Sequence, residues 1–262
     1  MRDACLYQGL ELMTLNRKAG CIAVLIAASA CVLPAQAYDH EFWLKAEIRI
    51  GTDGHVESLD WRGKGEAANP VTERLERMIR AWKFEPGKID GVAAPTDTFL
   101  TLQVLGEEHD DGSMNLSLGD VRTGAVLETI TPPRFPPNEA RSGNSAHLVA
   151  TLEISADGQV RVADVEIEAR RPGSGDAFVE SLKDVVVEWK PALERVGGVP
   201  VASTLQMPVQ FCGPDNTGWC VNYDRERMER LCAKQVPTMP ASDAIALESA
   251  VKLLTPVRGN DI

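Results

Sequence analysis

Two apolar stripes of identical spacing, 107 residues apart, constrain this chain more than any other feature. Val71, Leu75, Met78, Ile79 and Trp82 fall at i, i+4, i+7, i+8 and i+11, and Phe178, Leu182, Val185, Val186 and Trp189 repeat the series. Side chains at that spacing share one face of a helix, and that face must be buried against something. The same shift carries Gly91-Val92 onto Gly198-Val199 and Leu102-Gln103 onto Val209-Gln210. Upstream, the run from Ile48 through Asp53-Gly54 to Val56 matches the run from Leu152 through Asp157-Gly158 to Val160 at a shift of 104. The three extra residues fit the loop Arg170–Gly175. A long period with a loop insertion reads as two copies of one small domain.

Each copy reads as strand, strand, helix, strand. Trp43 to Ile50 alternates as a strand, Asp53-Gly54 turns it, and His55 to Trp61 returns. Glycine takes the turn because positive φ costs it nothing. Asn69 is placed to cap the first helix with Pro70 at its first position, and the helix is expected to reach Trp82. Thr96 to Leu105 closes the copy. In the second copy His147 to Ile154 and Val160 to Glu168 form the hairpin, Asp176 caps a helix to Trp189, and Ser203 to Phe211 is the last strand. The expected fold class is α+β: two tandem domains, each a three-stranded antiparallel sheet with one helix on its face. Copies of ~80–90 residues can fold without a metal. Met114 to Leu118 and Ala125 to Ile130 are expected to pair across Gly119–Gly124. Asn222 to Gln235 reads as a charged helix, and Ala244 to Leu254 fits a helix and a strand equally well.

Met13 to Ala37 has the build of an export signal, with Asn16-Arg17-Lys18 leading a short apolar run and Ala35-Gln36-Ala37 as the cleavage site. A membrane span needs ~20 apolar residues, and Pro34 ends this run early. Cleavage after Ala37 is expected, with residues 19–37 kept as an anchor as the alternative; Ala28-Ser29-Ala30-Cys31 is a weaker lipidation box. The net charge of −11 moves to about −12 without the first 37 residues. Nucleic acid and anionic membrane surfaces repel such a chain.

Of six cysteines, Cys212, Cys220 and Cys232 follow the signal. In an oxidising compartment a disulfide is expected. Cys212 with Cys220, across a turn-rich loop, is one pairing; pairing through Cys232 is the other. The four histidines lack cysteine or serine partners in a catalytic pattern, and no phosphate-binding loop is present. His109 among Glu107, Glu108, Asp110 and Asp111 reads as a solvated loop rather than a cation site. No catalytic residue, metal or cofactor is expected.

Pro133-Arg134-Phe135-Pro136, then Ala156-Asp157-Gly158, Val187-Glu188-Trp189, Gly198-Val199-Pro200-Val201 and Met207-Pro208-Val209-Gln210-Phe211 form an ordered series. The first copy adds Trp82-Lys83-Phe84-Glu85-Pro86 and Asp90-Gly91-Val92. This series resembles the TonB C-terminal domain, over about residues 42–105 and 132–211. Phe135 stands where that family usually has Tyr, and Lys190-Pro191-Ala192 lacks the aromatic of the helix end. The family's energy transducers also carry an uncleaved anchor and a long Pro-rich spacer; here a few residues separate Ala37 from the first strand. The resemblance implies domains at 42–105 and 132–211, a linker at 106–131 and a C-terminal extension at 212–262. It implies a non-enzymatic, periplasmic protein-interaction module, with an outer-membrane receptor or envelope protein as partner. A divergent TonB-like energy transducer anchored by residues 19–37 is the alternative.

In the resembled family the last strand pairs with an extended peptide by strand addition. Pro208 suits an edge, since proline cannot donate within a central strand. The residues expected at partner-binding edges are Ser203, Thr204, Gln206, Val209 and Gln210, with Thr98, Thr101 and Gln103 in the first copy.

Overall fold

A computed structural model describes residues 40–63, 70–109, 111–213, 244–257 and 262. The chain divides into Met1–Gln36 and Ala37–Ile262, and the first of these lies outside the described residues, as does the whole expected export signal. The expected Asn69 cap, the helix at Asn222–Gln235, and Cys220 and Cys232 also lie outside them. Cys212 is disulfide-bonded.

The fold is mixed α+β and rich in strands. Its first half contains β1 (His40–Ile50), β2 (Val56–Arg62), α1 (Pro70–Arg80), the short β3 (Phe84–Glu85), β4 (Lys88–Ile89) and β5 (Val92–Ala93), and the long β6 (Thr96–Glu108). Then come β7 (Met114–Thr123), β8 (Val126–Thr129) and the short α2 (Pro137–Arg141). The second half contains β9 (Ala146–Ile154), β10 (Val160–Ala169), α3 (Asp176–Val186), β11 (Lys190–Ala192), β12 (Arg195–Val196), β13 (Val199–Pro200) and β14 (Ser203–Phe211). The tail contributes β15 (Ile245–Ala246) and β16 (Lys252–Leu253).

Two cores form where the stripes predict them. Leu75, Ile79 and Trp82 are buried with Ala46, Ile48, Ile50, Leu100 and Leu102. Phe178, Leu182, Val186 and Trp189 are buried with Leu148, Leu152, Leu205, Met207 and Phe211. Each helix stops before its tryptophan. Trp82 and Trp189 are instead held by single turns, with their backbone N–H groups donating to Ile79 and Val186 carbonyls. Asp176 is the first helical residue rather than the cap; Gly175 precedes the helix and makes no side-chain cap bond.

The sheets are larger than the expected three strands. The first runs β13-β12-β6-β1-β2, with β7 also on β6. The second runs β10-β9-β14-β15. The expected 114–130 hairpin does not form: β7 folds back on β6, and β8 pairs with β11. The reason is the tight turn after β6, where His109 N–H donates to the Ser113 carbonyl and the Asp111 carboxylate accepts from Ser113 N–H and Oγ. That turn delivers the chain straight onto the β6 edge. In the tail, Ala244–Leu254 takes the strand alternative, with β15 on β14 and β16 on β3.

Candidate functional site

In an antiparallel ladder successive residues turn their backbone polar groups to opposite sides. Leu247 N–H donates to the Thr204 carbonyl at 2.9 Å, so Thr204 faces away from β9. The register with β9 then assigns Gln206, Pro208 and Gln210 to the same outer side. Ser203, Leu205, Met207, Val209 and Phe211 face β9 with their backbones, and Leu205, Met207, Val209 and Phe211 join the core. Pro208 therefore lacks its N–H on the side where β9 asks nothing of it, which is how a proline sits within a paired strand.

β15 covers only the start of this outer edge, opposite Leu205 and Gln206. Beyond it, Pro208 and Gln210 have no backbone partner among the described residues. Beside them lies an open groove of about 390 Å³, lined by Ile130, Pro132, Pro133, Trp189, Met207, Pro208, Val209 and Gln210. The Trp189 indole N–H donates to the Thr131 carbonyl at 2.8 Å, which fixes the far wall. Pro208 is buried and Gln210 exposed, so the edge offers the N–H and carbonyl of Gln210, flanked by apolar surface. Unpaired backbone groups at a strand edge are groups that an extended chain can pair with.

The expected first-copy edge is closed. β7 pairs along β6 from Leu100 to Glu108, and Arg195-Val196 of β12 pair with Asp97 and Thr96. Thr98, Thr101 and Gln103 are all buried. Thr98 Oγ1 donates to Glu194 and accepts from Gly124 N–H. Gln103 donates to Glu41 and accepts from Asp120 N–H, where a ladder irregularity leaves that N–H free to turn to a side chain. These three residues are therefore not at an open edge, because β7 fills the position a partner would need. In the second half of the chain Ser203 and Val209 are buried, and Thr204 and Gln206 are half-buried beside β15. Gln210 alone of the eight expected residues is exposed on the uncovered edge.

Sequence reading missed the groove wall at Ile130–Pro133 and the buried Glu194. The paired prolines at 132–133, which cannot donate, were the available signal for the first. Glu194 Oε1 accepts from Thr98 Oγ1 at 2.5 Å and Ser249 Oγ at 2.8 Å, and Oε2 accepts from Ala250 N–H at 2.7 Å. This carboxylate joins both halves and the tail.

A second groove, of about 560 Å³, lies between residues 131–139 and α3, with Glu180, Asp184 and Glu188 along it. The turn carboxylates are structural. A bond from His55 N–H holds Asp53 below its ordinary value, and the Ser155 hydroxyl followed by Gln159 N–H does the same for Asp157. Among the described residues no group of His, Cys, Asp and Glu is arranged to hold a metal, and no helix is long and apolar enough to cross a membrane.

Comparison with known proteins shows a distant TonB-like relationship. Two proteins named Protein TonB, from Xanthomonas campestris pv. campestris strains B100 and ATCC 33913, are each 25% identical to the chain over 84 residues. The match covers 32% of this chain and 36% of each relative, so the chain spans about a third of the length of the curated relatives it matches. No family model matches the chain.

Proposed function

We propose that this chain is a non-enzymatic, periplasmic protein-interaction module with two TonB-C-like copies, which binds an extended segment of an envelope protein by strand addition to β14. The observation that carries the reading is the outer edge at Pro208–Gln210, without a backbone partner among the described residues and beside an apolar groove. The two-copy reading is supported by elements that recur at a shift of 107: β4 and β5 with β12 and β13, and the start of β6 with that of β14. In this reading the copies have diverged. The first edge is closed from within, and the second keeps the binding role.

A photo-crosslinking residue at Gln210, with Gln103 as the buried control, identifies the partner in the protein's own cell. The partner's extended segment is then titrated against purified protein. Gln210→Pro deletes the one outward N–H of the open edge without touching the β9 ladder. Loss of one hydrogen bond predicts about 3- to 10-fold weaker binding. Unchanged affinity sinks the reading.

The relatives' name supports a second reading, an anchored TonB-like energy transducer contacting outer-membrane receptors. The mass of the protein purified from its own membranes separates the two. An intact segment 19–37 supports the transducer, and a chain beginning after Ala37 supports the exported module.

A further inference from the structure

The edge as it stands is short for a strand partner. Beyond β15 its outer side presents one N–H, from Gln210, because Pro208 has none; β15 pairs with Leu205 and Gln206 and reaches Thr204 only through the bond from Leu247 N–H to its carbonyl, so Gln206 N–H is the donor it covers. Without β15 the same side would present three N–H groups, from Thr204, Gln206 and Gln210. The tail that carries β15 is attached unevenly. From Ser249 onward it is anchored firmly: Ser249 and Ala250 donate to Glu194, Val251 and Val257 are buried in the first core, β16 pairs with β3, and Leu254 N–H donates to the Lys83 carbonyl. Thr255 Oγ1 also accepts from Lys83 N–H. Before Glu248 the described attachment is two residue pairs, one bond from Leu247, the buried Ile245, the packing of Ala244 and Ala246, and the seating of Ala246 against Gly124.

We infer that β15 is a displaceable strand that closes half of the β14 edge, and that a partner segment longer than the Pro208–Gln210 gap must replace it, pivoting the tail at the Glu194 anchor. The inference rests on the proposed strand-addition reading and states how that site is regulated. β15 competes from within the chain, at the high effective concentration that tethering provides. It therefore selects partners able to pair along the whole strand over those that fill the gap alone.

The test is amide exchange on the full chain. In the parent, Gln206 N–H is expected to exchange about 100-fold or more faster than Leu152 N–H, which faces β14 inside the sheet, because local opening costs less than global unfolding. Leu247→Pro removes the donor to the Thr204 carbonyl and should accelerate Gln206 further while leaving Leu152 unchanged. Ile245→Ala serves as a milder second variant. A synthetic peptide of residues 244–249 at millimolar concentration should slow Gln206 in Leu247→Pro and have no effect on the parent. Exchange of Gln206 at the Leu152 rate in the parent, or equal acceleration of Leu152 in both variants, overturns the inference. The probe is the chain's own sequence. A failure of the envelope partner to respond to Gln210→Pro therefore refutes the binding reading separately.

Discussion

Gly54 and Gly158 occupy matching turns, yet alanine should harm them unequally. Both have positive φ, 82° and 85°. In that region a Cβ costs roughly 1–2 kcal/mol. Their surroundings differ. A Cβ on Gly54 would lie 2.1 Å from the Phe84 carbonyl oxygen, whereas the nearest atom to one on Gly158 is Pro191 Cγ at 3.9 Å. Phe84 N–H also donates to the Gly54 carbonyl at 2.9 Å; Pro191, the counterpart of Phe84, has no N–H to give. Gly54→Ala must therefore push the turn away from β3, losing that bond at about 1 kcal/mol and disturbing the buried Phe84. We expect a total of about 3–5 kcal/mol for Gly54→Ala and about 1–2 kcal/mol for Gly158→Ala. At roughly 2–4 °C per kcal/mol for a chain of this size, the falls in Tm are about 12 °C and about 5 °C. Thermal unfolding followed by circular dichroism measures both. Equal losses would show that the β3 contact plays no part and that the reasoning is wrong.

Trp189→Ala should cost about 3–5 kcal/mol, since the ring is fully buried in the second core and its N–H holds Thr131; urea unfolding at the parent's stability would refute its placement. Acid should weaken the hairpins. The folded-state values of Asp53 and Asp157 lie below the ordinary 3.8, so the unfolded chain binds more protons in that window. Their contribution is complete above about pH 4 and is lost as pH falls through the depressed values. Urea midpoints across that range should fall less steeply for Asp157→Asn than for the parent, and identical slopes would contradict the assignment.

The helix faces were legible because burial imposes a 3.6-residue period on five side chains, and Leu75, Ile79, Leu182 and Val186 obey it. The α+β class followed from strands that alternate around Asp-Gly turns. The sheet edges were not legible. β12, β15 and β16 are two residues long, too short to carry a period, and each pairs with a strand distant in sequence. Gln103 looked like Gln210 because each follows an apolar residue, Leu102 or Val209, at the matching place in its strand. What separates them is β7, and its pairing is decided by the turn at His109–Ser113 rather than by anything in β6. Pro208 carried a local signal, since a proline tolerated in a paired strand must point its missing N–H outward. The groove beside it depends on Trp189 fixing Thr131 from 58 residues away.

Amide exchange in the isolated protein distinguishes an open β14 edge from a closed one by comparing two amides. Gln210 N–H faces the open edge of β14, and Thr101 N–H faces β7 on the closed edge of β6. An open edge gives near-unprotected exchange at Gln210, and the β7 pairing gives protection of about a thousandfold or more at Thr101. Gln210 exchanging as slowly as Thr101 would mean that the second edge is also occupied, and would contradict the proposed strand addition.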